Sequence, residues 1–245
     1  MNFIERLGFE MLKKAIICSF MVLFFVYGLA VGVYKIFPFY EIQVVKKIIA
    51  GESELDNFEN PYYLDRTSFF KLHAQRDYDV VFIGDSITDL ADWNDLFPSL
   101  IIANRGISKD TTAGVLNRMD TIINTKAEKA FLMIGTNDIG KGINIEIIFN
   151  NYKEIIEKLK GNDIEPVILS VLYTYNNPKR DNKVIKNLND NLKQLSSELD
   201  IPYVDLNTGL SKNGDLIRNY SNDGLHLNGS GYAVWVEAIS AYIPK

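Results

Sequence analysis

Cysteine is nearly absent from this chain, and the one present, Cys18, cannot close an intrachain disulfide, so no disulfide framework holds the fold. That cysteine lies inside an apolar run, and cysteine usage therefore says nothing of the redox compartment. Histidine is scarce as well, with only His73 and His226 among 245 residues. Cationic excess is lacking: the net charge of -5 argues against a nucleic-acid partner, which needs clustered Lys and Arg to displace counterions. No low-complexity tract or internal repeat interrupts the chain, and its seven prolines are scattered rather than gathered into a linker.

What is present suits an α/β domain. Hydrophobic residues make up 47% and charged residues 23%, and about 200 residues beyond the N-terminus are enough for one core. The N-terminus differs: Ala15 to Tyr34 is uncharged, and a helix needs roughly 20 apolar residues to cross a ~30 Å hydrocarbon layer. Lys13, Lys14 and Lys35 flank this run, as snorkelling ammonium groups do at membrane interfaces. A cleaved signal peptide is one alternative, with Gly28 and Ala30 as its small residues; a buried core helix is the other. The expected organisation is a tail and transmembrane anchor over 1–38, a stalk and lead-in helix over 39–78, and a catalytic domain over 79–245. Arg6, Lys13 and Lys14 outweigh Lys35, Lys46 and Lys47 only slightly, which points to an extracytoplasmic domain, periplasmic or at the cell surface.

Past a turn signal at Asn60 and Pro61, short apolar runs alternate with helical periodicity. Strands are expected over Val80 to Ile83, Leu100 to Ala103, Ala130 to Ile134, Pro166 to Val171 and Pro202 to Leu206. Helices are expected over Ile145 to Leu159, Asn182 to Leu199 and Gly229 to Tyr242. This alternation implies right-handed crossovers and a mainly parallel sheet covered on both faces. Ligands in such sheets sit beyond the carboxyl ends of the strands.

Several chemically suited residues fall at those ends. VVFIGDSITD places Ser86 at a strand-to-helix turn that Gly84 can sharpen, with its N–H at a helix start suited to developing negative charge. Helix capping is the plainer explanation of that cluster. A serine nucleophile needs a base. His226, in SNDGLHLNGSGY, comes to the same edge, and Asp223 three residues before it can orient the imidazole, with Gly224 allowing a tight loop. His73 lies in a charged amphipathic stretch and reads as a surface residue. An Asp-x-x-His pair can also bind metal, but no second His or Cys cluster supplies further ligands. Gly106, in ANRGISKDTTAG, and Asn137, in FLMIGTNDIG, are candidate oxyanion donors; a simple turn and an Asx-turn are their alternatives.

The four blocks GDSIT (84–88), NRGIS (104–108), GTND (135–138) and DGLH (223–226), in this order, resemble the SGNH or GDSL-type hydrolase family, over about Asp79 to Tyr242. The resemblance implies a three-layer α/β/α sandwich of flavodoxin-like topology with a mainly parallel five-stranded sheet. It implies Ser86 as nucleophile and first oxyanion donor, Gly106 and Asn137 as further donors, and His226 as base held by Asp223. No cofactor is implied, and the expected partner is a small-molecule or glycan ester. The G-x-S-x-G of the α/β-hydrolase elbow is missing around Ser86, so that larger group is the wrong comparison. The polar, aromatic loop Tyr173 to Asn177 is a candidate rim, with Tyr173, Tyr175 and Asn176 as substrate-binding residues. A short acyl group on a carbohydrate, lipid or other cell-envelope substrate is the expected target, since no long apolar lid is inserted. The alternatives are an O-acetyltransferase using the same acyl-enzyme and a non-catalytic, membrane-tethered carbohydrate-binding or assembly protein.

Overall fold

The computed structural model describes residues 3–34, 60–73 and 77–244. Residues 35–38 of the expected anchor segment and 39–59 of the expected stalk lie outside these. The chain divides into two units, Met1–Glu54 and Leu55–Lys245.

In the first unit, one helix spans Phe3–Tyr34. Within it Lys13–Val31 is long and apolar enough to cross a membrane, by length and composition, a test that a signal sequence also passes. Apolar side chains along it are exposed, among them Ile16, Phe20, Phe24 and Val33.

The second unit begins with the helix Pro61–His73. Asn60 and Pro61 start this helix instead of forming a plain turn: the Asn60 side chain accepts from the Tyr62 N–H, and proline is suited to a first helical position because it has no N–H to leave unpaired. His73 is exposed at its end, its ring tilted against that of Phe69.

Five strands form the main sheet, apart from a short antiparallel pair at Ser211–Lys212 and Asp215–Leu216: β1 (Val80–Gly84), β2 (Ile102–Gly106), β3 (Lys129–Met133), β4 (Glu165–Leu169) and β5 (Tyr203–Val204). All are parallel, in the order β2-β1-β3-β4-β5, the flavodoxin-like order. Strand side chains alternate between faces, and here both faces are buried, so the strands read as continuous apolar runs. Val81, Ile83, Ala130, Leu132 and Ile168 face the helices Ile145–Lys160 and Asn182–Leu199. Val80, Phe82, Phe131, Met133, Val167 and Leu169 face Trp93, Tyr232 and Trp235. On that second face the Phe82 and Trp93 rings stack at 3.7 Å. The result is the expected three-layer sandwich.

Several boundaries differ from expectation, β4 ending at Leu169 and the last α-helix at Ile239 among them, and two of the differences concern β2 and β5. Strand β2 runs to Gly106, so Asn104, Arg105 and Gly106 belong to the strand and not to the loop after it. The polarity of these residues hides the strand, yet Arg105 is buried: its guanidinium lies over the Phe70 ring and donates to the Thr121 carbonyl. Strand β5 shortens to two residues because Leu206 leads directly into the short helix Asn207–Leu210.

Candidate active site

The sheet order reverses direction at β1, whose neighbours are β2 and β3, and such a switch point opens a crevice beyond the carboxyl ends. Ser86 stands there, two residues past β1, as the first residue of the short helix Ser86–Asp89. Asp85, not Ser86, caps that helix: its Oδ1 accepts the Ile87 N–H at 3.0 Å. The Ser86 hydroxyl is therefore not consumed by capping, and its N–H is among those a helix start leaves without an intrahelical partner. Gly84 acts through close approach instead of an unusual turn: a Cβ there would fall 2.5 Å from the Met133 carbonyl oxygen and collide with Thr88. From below, Trp93 Nε1 donates to the Thr88 carbonyl at 2.9 Å and the Tyr232 hydroxyl to the Ile87 carbonyl at 2.6 Å.

The loop before the last helix, Gly229–Ile239, supplies the partners. Ser86 Oγ lies 2.8 Å from His226 Nε2, and His226 Nδ1 lies 2.6 Å from Asp223 Oδ2. A carboxylate only accepts, so Nδ1 carries the proton and Nε2 is left to accept from the serine hydroxyl. Asp223 also accepts the N–H groups of Leu225 and His226 through Oδ1. Desolvation alone would raise its pKa, but the bonds from the His226 ring and from these two N–H groups outweigh it and hold the carboxyl well below the usual range. Gly224 sits at φ +80, and a Cβ there would come 2.3 Å from the Tyr175 carbonyl oxygen, so the loop closes only around a glycine.

Asn137 lies in the short helix Thr136–Gly140 after β3 and is 9% exposed. No Asx-turn forms. Its Nδ2 donates to the Asp110 carbonyl at 2.9 Å, and its Oδ1 accepts from Arg180 Nη2 at 2.9 Å. An amide nitrogen carries two hydrogens, so one remains for a substrate oxygen.

Gly106 is a different case. Its N–H donates to Asn104 Oδ1 at 2.9 Å, and a Cβ there would fall 2.2 Å from the Asp89 nitrogen. The glycine is needed for the close approach of β2 to the helix Ser86–Asp89, and its N–H is turned to the Asn104 side chain. The Tyr173–Asn176 rim also divides. Tyr173 packs against the core cluster containing Ile185 and Leu188, while its N–H donates to Asn207 Oδ1. Tyr175 donates its N–H to the Gly224 carbonyl and so braces the His226 loop, with Arg218 over its ring. Asn176 is exposed at φ 51.

Sequence reasoning missed three supports. Arg118 is fully buried; its Nε donates to Asp110 Oδ2 at 2.8 Å and its Nη2 to the Arg105 carbonyl. Ser221 Oγ accepts the Gly224 N–H and donates to Asp223 Oδ1. Arg180 holds Asn137. Its position after an Asn-Pro pair beyond β4 was the only available signal, since loops at strand carboxyl ends carry function. Among the described residues, no group of three or more His, Cys, Asp or Glu side chains is placed to hold a metal.

Sheet order and edge chemistry together define the SGNH class of hydrolases. The GDSL-like Lipase/Acylhydrolase family profile matches residues 82–234, more than half of the chain, and the chain belongs to that family. Over 116 residues, 47% of its length, the chain is 31% identical to an N-acylneuraminate cytidylyltransferase from Streptococcus agalactiae, and the match spans 28% of that relative. Over 173 residues it is 28% identical to platelet-activating factor acetylhydrolase IB subunit alpha2 of Rattus norvegicus, covering 63% of this chain and 71% of the relative. A solved GDSL-like lipase from Bacteroides thetaiotaomicron has 26% identity and a TM-score of 0.64, covering 74% of this chain and 96% of the other.

Proposed function

We propose that this chain is a serine esterase in which Ser86 is the nucleophile, His226 the general base and Asp223 its orienting carboxylate. The observation that carries this reading is the continuous hydrogen-bonded chain from Ser86 Oγ through the imidazole to Asp223. Ser86 Oγ attacks the ester carbonyl carbon while its proton passes to His226 Nε2. The tetrahedral oxyanion is met by the Ser86 N–H and the free Asn137 N–H. The carbon–oxygen bond to the alcohol then breaks, and the imidazolium returns the proton to the departing oxygen. Water attacks the acyl-serine, His226 takes its proton, and release of the acid restores the serine hydroxyl.

The substrate class we infer is a short acyl ester on a carbohydrate, lipid or other cell-envelope molecule. An acetylhydrolase among the relatives supports a small acyl group. We further propose that residues 1–38 are a tail and membrane anchor, that 39–78 join it to a hydrolase domain over 79–245, and that this domain is extracytoplasmic. The apolar helix Lys13–Val31 supports the anchor.

The test is to incubate the full-length protein in detergent with short- and long-chain aryl esters, with and without an acceptor sugar, beside Ser86→Ala. Acid release from the short esters, lost in the variant, supports the esterase. Acyl transfer to the sugar in place of acid release would make it an acyltransferase. No turnover of any ester by the folded parent would leave a non-catalytic protein.

A further inference from the structure

An asparagine is an uncertain oxyanion donor, because its amide has nearly the same shape when turned over. One orientation presents N–H to the acyl group; the other presents a carbonyl oxygen, which would repel the developing charge. Something must select between them.

Two neighbours of Asn137 do so. The Asp110 carbonyl can only accept, and it takes a hydrogen from Nδ2 at 2.9 Å. The Arg180 guanidinium can only donate, and its Nη2 reaches Oδ1 at 2.9 Å. Turning the amide over would set donor against donor at Arg180 and acceptor against acceptor at Asp110. Both contacts would become repulsive, and one hydrogen of Nδ2 would no longer be presented.

Arg180 is itself held for this task. Its Nε donates to the Thr136 carbonyl at 3.1 Å, so the guanidinium spans the two residues that open the helix after β3. Its own N–H donates to the Asn177 carbonyl, and its carbonyl accepts the Thr174 hydroxyl. The guanidinium lies against Gly140, where an added Cβ would stand 3.2 Å from Cζ. A charged donor on Oδ1 also polarises the amide and strengthens the remaining N–H as a donor.

We propose that Arg180 is the positioning residue of the oxyanion site, locking Asn137 in the one orientation that presents an N–H to the acyl group. This rests on the reading of Asn137 as an oxyanion donor, and the test separates the two.

The full-length protein and its variants Asn137→Ala, Arg180→Met, Arg180→Lys and the double variant Asn137→Ala/Arg180→Met are compared on a short aryl ester. Melting temperature and inhibition by an arylboronic acid, a tetrahedral mimic, are measured beside kcat and KM. Arg180→Met should lower kcat by about 10- to 100-fold with KM within about twofold, and should weaken boronate inhibition in step. In the Asn137→Ala background the same substitution should cost less than about threefold, because Arg180 then has no amide to hold. Arg180→Lys should fall between, since one ammonium can reach Oδ1 but cannot copy the paired guanidinium contacts; it also serves if the methionine variant does not fold. Unchanged kcat in Arg180→Met, or a full loss that persists in the Asn137→Ala background, would overturn the proposal while leaving Asn137 as donor. An unchanged kcat in Asn137→Ala would instead remove the oxyanion reading, and this inference with it.

Discussion

The two halves of the site are built in opposite ways. On the nucleophile side, Asp85 is 1% exposed and Ser86 9%, and the helix they begin is tied down by Trp93 and Tyr232 from the core. On the base side, the side chains of Asp223 and His226 are 55% and 31% exposed, and their geometry comes from bonds within the loop Ser221–His226 and one brace from the Tyr175 backbone. Stability and activity therefore reside in different halves. Changes under Ser86 should unfold the domain before they affect chemistry, whereas changes in the loop should affect chemistry in a domain that stays folded.

The largest effect that sharpens this contrast is expected for His226→Asn. Removing the base should lower kcat by about 10⁴-fold or more, with a melting temperature near that of the parent. A large drop in melting temperature would mean that the loop is part of the core after all. On the other side, Trp93→Ala should cost about 3 to 5 kcal/mol of stability, through loss of the ring stacked on Phe82 and of its bond to the Thr88 carbonyl. Denaturant unfolding measures this, and the molecules still folded should keep most of their kcat.

Acid–base behaviour should divide the halves again, with a smaller effect. Burial pushes the Asp85 carboxyl up to about 7; the Ile87 N–H opposes this, and the charges of Asp110 and Asp138 add to it. A carboxyl raised in the folded state stabilises fully below its unfolded pKa of about 4, and that contribution is lost as pH rises through about 7. Asp223 has the opposite sign: its contribution is present above the unfolded value and lost as pH falls through the depressed one. Melting temperature should therefore decline between about pH 4 and 7 less steeply in Asp85→Asn, with Asp138, raised to about 6, carrying part of what remains. An identical slope in parent and variant would contradict the assignment of that decline to Asp85. The smallest effect is expected for Ser221→Ala, a loss of about threefold to tenfold in kcat as one of several Asp223 supports goes, with KM unchanged.

Much of this was legible in the sequence, and the exceptions share a cause. The helix Asn182–Leu199 has the bounds expected from its periodicity, and the runs at β1 and β3 are plain because strands buried on both faces are continuously apolar. Ser86, Asp223 and His226 stood out because serine, carboxylate and imidazole fell at strand ends in a chain with two histidines. Strand β2 was misplaced because Asn104 and Arg105 are polar, and nothing local says that Phe70 and the Thr121 carbonyl receive the arginine. Arg118 and Arg180 gave no sign of their roles for the same reason: their partners lie in other elements of the fold. The close approach of Gly106 to the Asp89 backbone was likewise hidden, because it exists only in three dimensions.

Activation of Ser86 as a nucleophile by His226 is best measured by covalent labelling with an aryl alkylphosphonate followed by peptide mass analysis. A single adduct is expected on the peptide carrying Ser86, absent in Ser86→Ala and formed far more slowly in His226→Asn. An adduct on another residue, or labelling of Ser86 at the parent rate without His226, would contradict it.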